Sequence, residues 1–200
     1  MQALDLSHLR GWIGRTMQAS ELLHDGLVQR FNATFGMVEA ATGDTAPQLI
    51  HFCLAQPAAA ADEIGLDGHP ARGDFLPPVP LPRRMWAAGG VIFHRGLEVG
   101  ATITRRSRIL HVTEKQGRSG PLCFVTVEHE ILSGETLAIT ERQDIVYRDI
   151  AATALPQGDA PQGQHRQKMN PDPVLLLRYS ALTFNGHRIH YDRPYATEVE

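Results

Sequence analysis

The chain has 200 residues and a formal net charge of -3 at pH 7; 42% of its residues are hydrophobic and 20% are charged. These values describe a globular protein of one or two domains, and the lack of a basic excess argues against nucleic acid as a partner. The longest apolar runs are too short to span a membrane and the start lacks the regions of a signal peptide, so we expect a cytoplasmic protein with no membrane partner. Two cysteines, Cys53 and Cys123, are too few for a disulfide framework and lack metal-ligand spacing.

An extended segment and a helix are the first predicted elements. Residues 12–16 indicate an extended entry, and Ser20–Glu21 is typical of a helix start because acidic side chains favour the first turn. Apolar residues then recur every four positions, at Leu23, Leu27, Phe31 and Phe35. This spacing predicts an amphipathic helix with one face toward a core. His24 is interpreted as a surface residue of this helix.

A proline-rich segment comes next. Residues 48–55 have the composition of a strand, but the many prolines of residues 57–82 cannot run through a sheet, so we predict an excursion across the surface. It ends at Arg83, Arg84 and Trp86. Two cations beside an aromatic ring suit the phosphates or adenine of coenzyme A, or a substrate carboxylate; the alternative is two solvated arginines beside a core tryptophan.

An antiparallel meander is predicted next, with strands over residues 91–94, 101–113, 121–132 and 136–147. One face of the third strand is expected to be buried, with Cys123, Val125, Val127, His129 and Ile131. The second strand is basic at Arg105, Arg106 and Arg108. These arginines either bind phosphate or, as we favour, form a charged face that discourages edge pairing. No metal site is predicted, because the meander's histidines lie on separate strands without a second ligand nearby.

Residues 151–173 are rich in Ala, Gln, Gly and Pro, which predicts an inter-domain linker. The next segment crowds amide, imidazole and carboxylate groups together. We predict a helix over Leu175–Phe184 that is broken at Asn185–Gly186. An extended passage should follow, with the side chains of His190 and Asp192 on one side and that of His187 on the other. A short helix capped by Asp192 is expected next. Such a loop can hold a general base beside an amide.

This segment resembles the signature of MaoC-type hydratases and dehydratases. The pattern's Tyr, Ser or Thr, Ile or Leu, His and Asp correspond to Tyr179, Thr183, Ile189, His190 and Asp192. The departures are Phe184 for Gly, Asn185 for the catalytic Asp, and His187–Arg188 for Asn-Pro. In this combination the segment is similar to the branch that holds 3-methylfumaryl-CoA (mesaconyl-CoA) hydratases and mitochondrial-type 3-hydroxyacyl-thioester dehydratases, as is the segment around Arg83.

The resemblance implies an α+β hotdog fold, an antiparallel sheet packed on a helix. Residues 1–150 would form the N-terminal half of a double hotdog, residues 151–173 a linker, and residues 174–200 the start of a second, apparently truncated, hotdog. The implied activity is that of a hydro-lyase on enoyl-CoA thioesters, with 3-methylfumaryl-CoA hydrated to citramalyl-CoA. The alternatives are a 3-hydroxyacyl-thioester dehydratase and a non-catalytic acyl-thioester-binding module. An acyl-CoA is expected as substrate, with no separate cofactor, and a homo-oligomer, such as a homodimer, as the working form.

The residues and the resemblance together predict the site. His190 is expected to be the base, because a neutral imidazole titrates near working pH. Asn185 cannot exchange a proton and is assigned the orientation of water or substrate, and His187 is a lesser candidate for the acid. Four residues are predicted to bind substrate: Arg83, Arg84, Trp86 and Arg188. In the alternative, His190 and Asn185 only hydrogen-bond the loop to itself.

Overall fold

The computed structural model describes residues 4–37, 41–117, 120–149, 161–166 and 168–198. In these residues five antiparallel strands form one sheet in the order β1-β3-β4-β5-β2. The strands are β1 (Thr16–Leu22), β2 (Arg83–Phe93), β3 (Thr102–Gly117), β4 (Gly120–Ser133) and β5 (Thr136–Arg148). The α-helices are α1 (Leu6–Arg10), α2 (Asp25–Phe35), α3 (Pro173–Leu182) and α4 (Arg193–Glu198), and three-residue to four-residue 3₁₀ turns occupy Ile50–Cys53, Ala61–Glu63 and Arg188–His190. The predicted α+β class is confirmed.

The first part of the chain differs from the prediction. The expected helix start at Ser20–Glu21 is wrong, because these residues belong to β1, which pairs antiparallel with β3. The Ser20 hydroxyl lies 2.8 Å from that of Thr104 across the pair. Helix α2 begins later, at Asp25, with His24 as its N-cap accepting the Leu27 N–H through Nδ1 at 3.2 Å. His24 is exposed, as expected, and it also caps the helix.

Residues 48–55 do not form the expected strand. They make a 3₁₀ turn in which Ile50, His51 and Cys53 are buried. Leu49 and Ala55, on either side, have left-handed φ values of 69° and 50°. Their apolar composition therefore reflects burial of a turn and not an extended backbone.

The predicted meander is present as β2 to β5. Strand β2 begins earlier than expected, so Arg83, Arg84 and Trp86 lie on a strand at the edge of the sheet. The predicted buried face of β4 is confirmed from Cys123 to Ile131. Strand β3 is covered by β1, so the expectation that its arginines guard a sheet edge is wrong.

Two apolar cores lie along the inner face of the sheet. The first contains Leu27, Val28 and Phe31 of α2 with Ile103, Ile131 and Ile139 of the sheet. The second contains Leu9 of α1 with Val79, Leu81, Ile109, Val127 and Ile145. Helices α1 and α2 thus cover different halves of the same sheet.

A row of polar side chains lies between these cores. We call it the polar belt, and its members are Arg105, Ser107, His129, Glu141 and His51. The Ser107 hydroxyl is 2.7 Å from His129 Nδ1, and Arg105 donates to this nitrogen at 3.3 Å and to Gln56 Oε1 at 2.8 Å. His51 Nε2 lies 3.7 Å from Glu141 Oε2.

The belt histidines are held neutral by their surroundings. Burial, aided by the charge of Arg105, lowers the pKa of His129 to about 3 and that of His51 to about 4. Burial raises the pKa of Glu141, although Arg105 opposes that shift. Arg105 is thus a partly buried cation that hydrogen-bonds to His129 and Gln56.

Candidate active site

Helix α3 carries the signature segment to the sheet domain. Asp172 caps it by accepting the Leu175 N–H at 2.8 Å, and Pro173 occupies its first turn. Leu182 packs against the first apolar core, and the ring of Tyr179 lies 5.6 Å from that of Phe35 on α2. The helix ends at Leu182, two residues earlier than predicted, and the left-handed residue of the break is Phe184, at φ 51°, instead of Asn185 or Gly186.

A local hydrogen bond sets the path of the chain after α3. Asn185 Oδ1 accepts the backbone N–H of His187 at 3.0 Å. A 3₁₀ turn follows over Arg188–His190, in which the His190 N–H donates to the His187 carbonyl at 3.2 Å. The predicted extended passage is therefore wrong. Because residues three apart are aligned in a 3₁₀ turn, His187 and His190 lie close together, with ring centroids 5.7 Å apart.

Arg188 is engaged within the loop. Its Nη2 lies 2.6 Å from Asp192 Oδ2, its Nη1 donates to the Leu66 carbonyl at 3.1 Å, and its guanidinium lies 4.2 Å from the ring centre of Tyr195. Asp192 also accepts the Tyr195 N–H at 3.1 Å, which confirms it as the cap of α4. A role for Arg188 in binding substrate stays a prediction.

The signature loop docks on a tight turn over residues 63–71. The Arg188 N–H donates to the Asp67 carbonyl at 2.9 Å. Gly68, at φ +85°, packs so closely against the backbone of Gly186 that a β-carbon on residue 68 would lie 2.0 Å from the Gly186 oxygen. Glycine is required at residue 68 for both its conformation and its lack of a side chain.

Docking brings three imidazoles, one carboxylate and one guanidinium together, and we call this group the imidazole cluster. Its members are Asp67, His69, Arg84, His187 and His190. The rings of His69 and His187 are 4.1 Å apart, centroid to centroid. His69 Nδ1 lies 3.1 Å from Asp67 Oδ2, and Arg84 Nη2 lies 3.7 Å from the same oxygen.

The cluster separates the protonation states of its members. Burial, followed by the nearby charge of His69, lowers the pKa of His187 to about 4, and the same two causes lower the pKa of His190. Burial alone would raise the pKa of Asp67. Hydrogen bonds from the His69 side chain and backbone, with the charges of His69 and Arg84, outweigh burial and hold it well below its usual range. The cluster thus favours the neutral form of His187 and His190 and the ionised form of Asp67.

The other predicted binding residues lie at different depths. Arg83 is buried at the start of β2. Trp86 is half exposed on the same strand; its Nε1 donates to the Ala88 carbonyl at 2.7 Å, and its ring lies 5.8 Å from that of Phe52. Of the three predicted binding residues on β2, therefore, only Arg84 belongs to the imidazole cluster. Substrate binding by these three residues stays a prediction.

A cavity of about 630 Å³ opens between α2 and α3. Apolar walls from Leu27 and Leu182 alternate with polar groups from Glu21, Gln56 and Arg178. It contacts the signature segment through Phe184, the residue before Asn185, and Gln56 connects it to Arg105 of the polar belt. An apolar cleft with a few polar groups suits a small organic ligand.

Asp67 and His69 were not identified from the sequence. They lie in the segment interpreted as a surface excursion, more than 110 positions before the loop they contact. The one local signal is the Asp-Gly-His spacing, because an aspartate two residues before a backbone N–H commonly accepts from it, as Asp67 does from His69 at 3.0 Å.

In the described ranges, no group of three or more His, Cys, Asp or Glu side chains is arranged to hold a metal ion.

Comparison with known proteins identifies relatives of this chain. Residues 48–200 match the family Htd2, hydroxyacyl-thioester dehydratase type 2. The chain is 43% identical over 201 residues to the mesaconyl-C(4)-CoA hydratase of Chloroflexus aurantiacus, an alignment covering 94% of this chain and 70% of that protein. It is 27% identical over 180 residues to the mitochondrial hydroxyacyl-thioester dehydratase type 2 of Schizosaccharomyces pombe, covering 75% and 58%. The chain thus spans only part of the length of either relative.

Solved structures share the architecture. HtdX of Mycobacterium tuberculosis superimposes with a TM-score of 0.59 at 18% identity, covering 92% of this chain and 66% of that one. A MaoC-like dehydratase from Phytophthora capsici gives 0.58 at 15% identity, covering 98% and 70%. At these identities the likeness concerns the fold, and the predicted hotdog fold is confirmed.

None of the helices in the described ranges is long and apolar enough to cross a membrane.

Proposed function

Because the chain belongs to the hydroxyacyl-thioester dehydratase type 2 family of MaoC-like hydratases and dehydratases, we propose that it acts as a hydro-lyase on enoyl-CoA thioesters. Such an enzyme adds water across the double bond next to the thioester, or removes it in the reverse direction. The proposed substrate is 3-methylfumaryl-CoA (mesaconyl-CoA), with citramalyl-CoA as product. The identity of 43% to a mesaconyl-C(4)-CoA hydratase supports this choice.

The observation that carries the proposal is the imidazole of His190 in the signature loop, on the 3₁₀ turn that follows Asn185, with its ring 5.7 Å from that of His187. We assign it the role of general base, because its lowered pKa leaves it able to accept a proton from water at neutral pH. The base removes that proton as the oxygen bonds to the β-carbon. Electrons of the double bond then move toward the thioester carbonyl, and a proton must be supplied to the α-carbon.

Asn185 is assigned the orientation of water or substrate. Its Oδ1 accepts the His187 N–H, and a carboxamide that uses its oxygen in this way still has two N–H donors on Nδ2. Such donors can hold a water or the thioester oxygen without exchanging a proton. This division leaves proton transfer to the imidazoles.

We also propose that the protein works as a homodimer. Strand β2 lies at the edge of the sheet, and Trp86, Ile92 and Phe93 on it are exposed. Apolar side chains at a sheet edge favour association with a second sheet. Light scattering coupled to gel filtration should give twice the mass of the protein, and a monomer at micromolar concentration would contradict this.

A second candidate activity is dehydration of 3-hydroxyacyl thioesters without a second carboxylate, which is favoured by the family match and by the relative from S. pombe. The experiment that separates the two follows the enoyl-thioester absorbance band with the purified protein. Turnover of 3-methylfumaryl-CoA with little turnover of crotonyl-CoA would support the proposed substrate. Preference for crotonyl-CoA would favour the dehydratase. Tight binding of both thioesters without turnover would instead indicate a non-catalytic binding module.

A further inference from the structure

We propose that His69 is the acid of this reaction, the group that protonates the α-carbon, with Asp67 as the carboxylate that orients its ring. The inference rests on the proposed function, since it assigns a role within that reaction. Hydration needs one group that takes a proton from water and another that delivers one to carbon. Asn185 cannot do the second, because an amide does not exchange protons at neutral pH. The geometry of the imidazole cluster points to His69.

The choice among the cluster members follows from their surroundings. The titratable and charged groups facing the His187–His190 turn in the described residues are Asp67, His69 and Arg84. His187 is only 8% exposed and, among the described residues, no carboxylate lies within hydrogen-bond distance of its ring. A buried ring without such a partner is a poor imidazolium.

Within the described part of the chain, His69 is the ring of the imidazole cluster that has a carboxylate at hydrogen-bond distance. Its Nδ1 lies 3.1 Å from Asp67 Oδ2, and its side chain is 25% exposed. A carboxylate on one ring nitrogen fixes the tautomer, stabilises the imidazolium and leaves the other nitrogen for the reacting atom. The partial exposure of the side chain is consistent with contact between His69 and a substrate.

The pair is also held rigidly against the signature loop. Asp67 Oδ1 accepts the His69 N–H at 3.0 Å, the Asp67 carbonyl accepts the Arg188 N–H at 2.9 Å, and the Gly68 backbone packs on that of Gly186. His187 separates His69 from His190, with spacings of 4.1 and 5.7 Å between ring centroids. In the proposed complex the acyl group lies within reach of both His69 and His190, whose rings each approach that of His187.

The proton balance closes without any further reactant. Neutral His190 takes a proton from water as the C–O bond forms at the β-carbon, and the π electrons of the double bond become an enolate. The His69 imidazolium gives its proton to the α-carbon. His190 then releases its proton to solvent and His69 takes one up, so that one water has been added and the enzyme is restored.

The test compares His69→Gln and Asp67→Asn with the wild type in the full-length protein. His69→Gln should lower kcat about 10²-fold to 10⁴-fold, the usual range for losing a general acid, with little change in KM. The plot of kcat/KM for hydration against pH should lose its decline at high pH, because that decline reports deprotonation of the acid. Asp67→Asn should move the decline to lower pH, because a neutral amide stabilises the imidazolium less.

His94→Gln is the matched control, because His94 is an exposed histidine whose Nε2 bonds the Thr140 hydroxyl at 3.0 Å. It should leave both rate and profile unchanged. Variants that lose rate but keep the wild-type profile would assign His69 a structural role and overturn the inference. So would a near-normal rate in His69→Gln, or, if that variant does not fold, an unshifted profile in Asp67→Asn. A wild type inactive on every enoyl thioester would remove the proposed function itself, and the role of His69 with it.

Discussion

The backbone of Gly68 lies directly against the carbonyl of Gly186, and this contact joins the proline-rich segment to the signature loop. A β-carbon on residue 68 would come within 2.0 Å of the Gly186 oxygen. No β-carbon can be placed there without moving one of the two backbones. The distance between the imidazoles of His69 and His187 therefore depends on a residue that has no side chain.

The Gly68→Ala variant tests this dependence. Its positive φ alone should cost about 1–2 kcal/mol of unfolding free energy, and the clash should add to this by loosening the signature loop. We expect faster hydrogen exchange over residues 186–192 and lower turnover in the full-length protein. Gly134→Ala is the control, since Gly134 has φ +59° but nothing within 4 Å of the added carbon. Equal effects of the two variants on that exchange would show that the backbone contact does not position the loop.

Replacement of His190 tests the assignment of the base. His190→Ala should reduce kcat about 10²-fold to 10⁴-fold while the circular dichroism spectrum stays unchanged, because the side chain is partly exposed and its loss creates no buried cavity. His94→Ala should be indistinguishable from the wild type. Turnover of His190→Ala within a few-fold of normal would remove His190 from the mechanism.

Asn185 offers a prediction that separates structure from chemistry. Asn185→Ala loses the acceptor for the His187 N–H and should destabilise the loop by about 1 kcal/mol. Asn185→Asp keeps an acceptor in the same place, so its urea midpoint should stay close to that of the wild type. If both variants lose activity and only the alanine variant loses stability, the amide N–H donors contribute to catalysis; full activity of Asn185→Asp would argue against that contribution.

The buried histidines predict that the protein loses stability in mild acid. His51, His129 and His187 have pKa values lowered to about 4, about 3 and about 4 in the folded protein. Below the unfolded value near 6.5, the unfolded chain binds protons that the folded protein does not, so the free energy of unfolding falls as pH falls. Each histidine contributes at most about 1.4 kcal/mol per pH unit between roughly pH 6 and pH 4.

Urea unfolding at pH 7, 6 and 5 measures this effect. Glu141 opposes it, because a carboxyl whose pKa is raised on folding binds its proton more readily in the folded protein than in the unfolded chain. His129→Gln removes one titrating ring and should flatten the dependence, whereas His94→Gln should not. A midpoint that stays constant from pH 7 to pH 5 in the wild type would contradict the neutral state of the buried rings.

The parts of the fold that depend on local patterns were predictable. Alternation of buried and exposed residues identified β3, β4 and β5, and the Asp192 cap follows from a side chain that bonds its own backbone three residues on. Strand β1 was missed because residues 16–22 have no local sequence pattern typical of a strand. Their extended conformation comes from pairing with β3, some eighty residues later. The apolar residues near Ile50 were interpreted as a strand because burial and extension give the same composition.

The candidate site was predictable only in its local half. His187, Asn185 and His190 stand within six residues, and their resemblance to a known signature identified them. The position of His69 follows from a docking contact between distant segments, which no periodicity or spacing encodes. The turn that places His187 beside His190 depends on a hydrogen bond from the His187 N–H to the Asn185 side chain. An extended loop would not form this bond.

The polar belt has a consequence for how the sheet is assembled. If the inner face were apolar throughout, two strands could slide past each other by two residues and still bury the same kind of surface. In the native pairing Ser107 stands opposite His129 and His129 opposite Glu141. A two-residue slip of β4 would instead set the imidazole against Ile109 or Arg105 on β3 and leave polar groups facing an apolar core. The belt therefore favours the native strand register. Hydrophobic burial alone would also allow registers shifted by two residues.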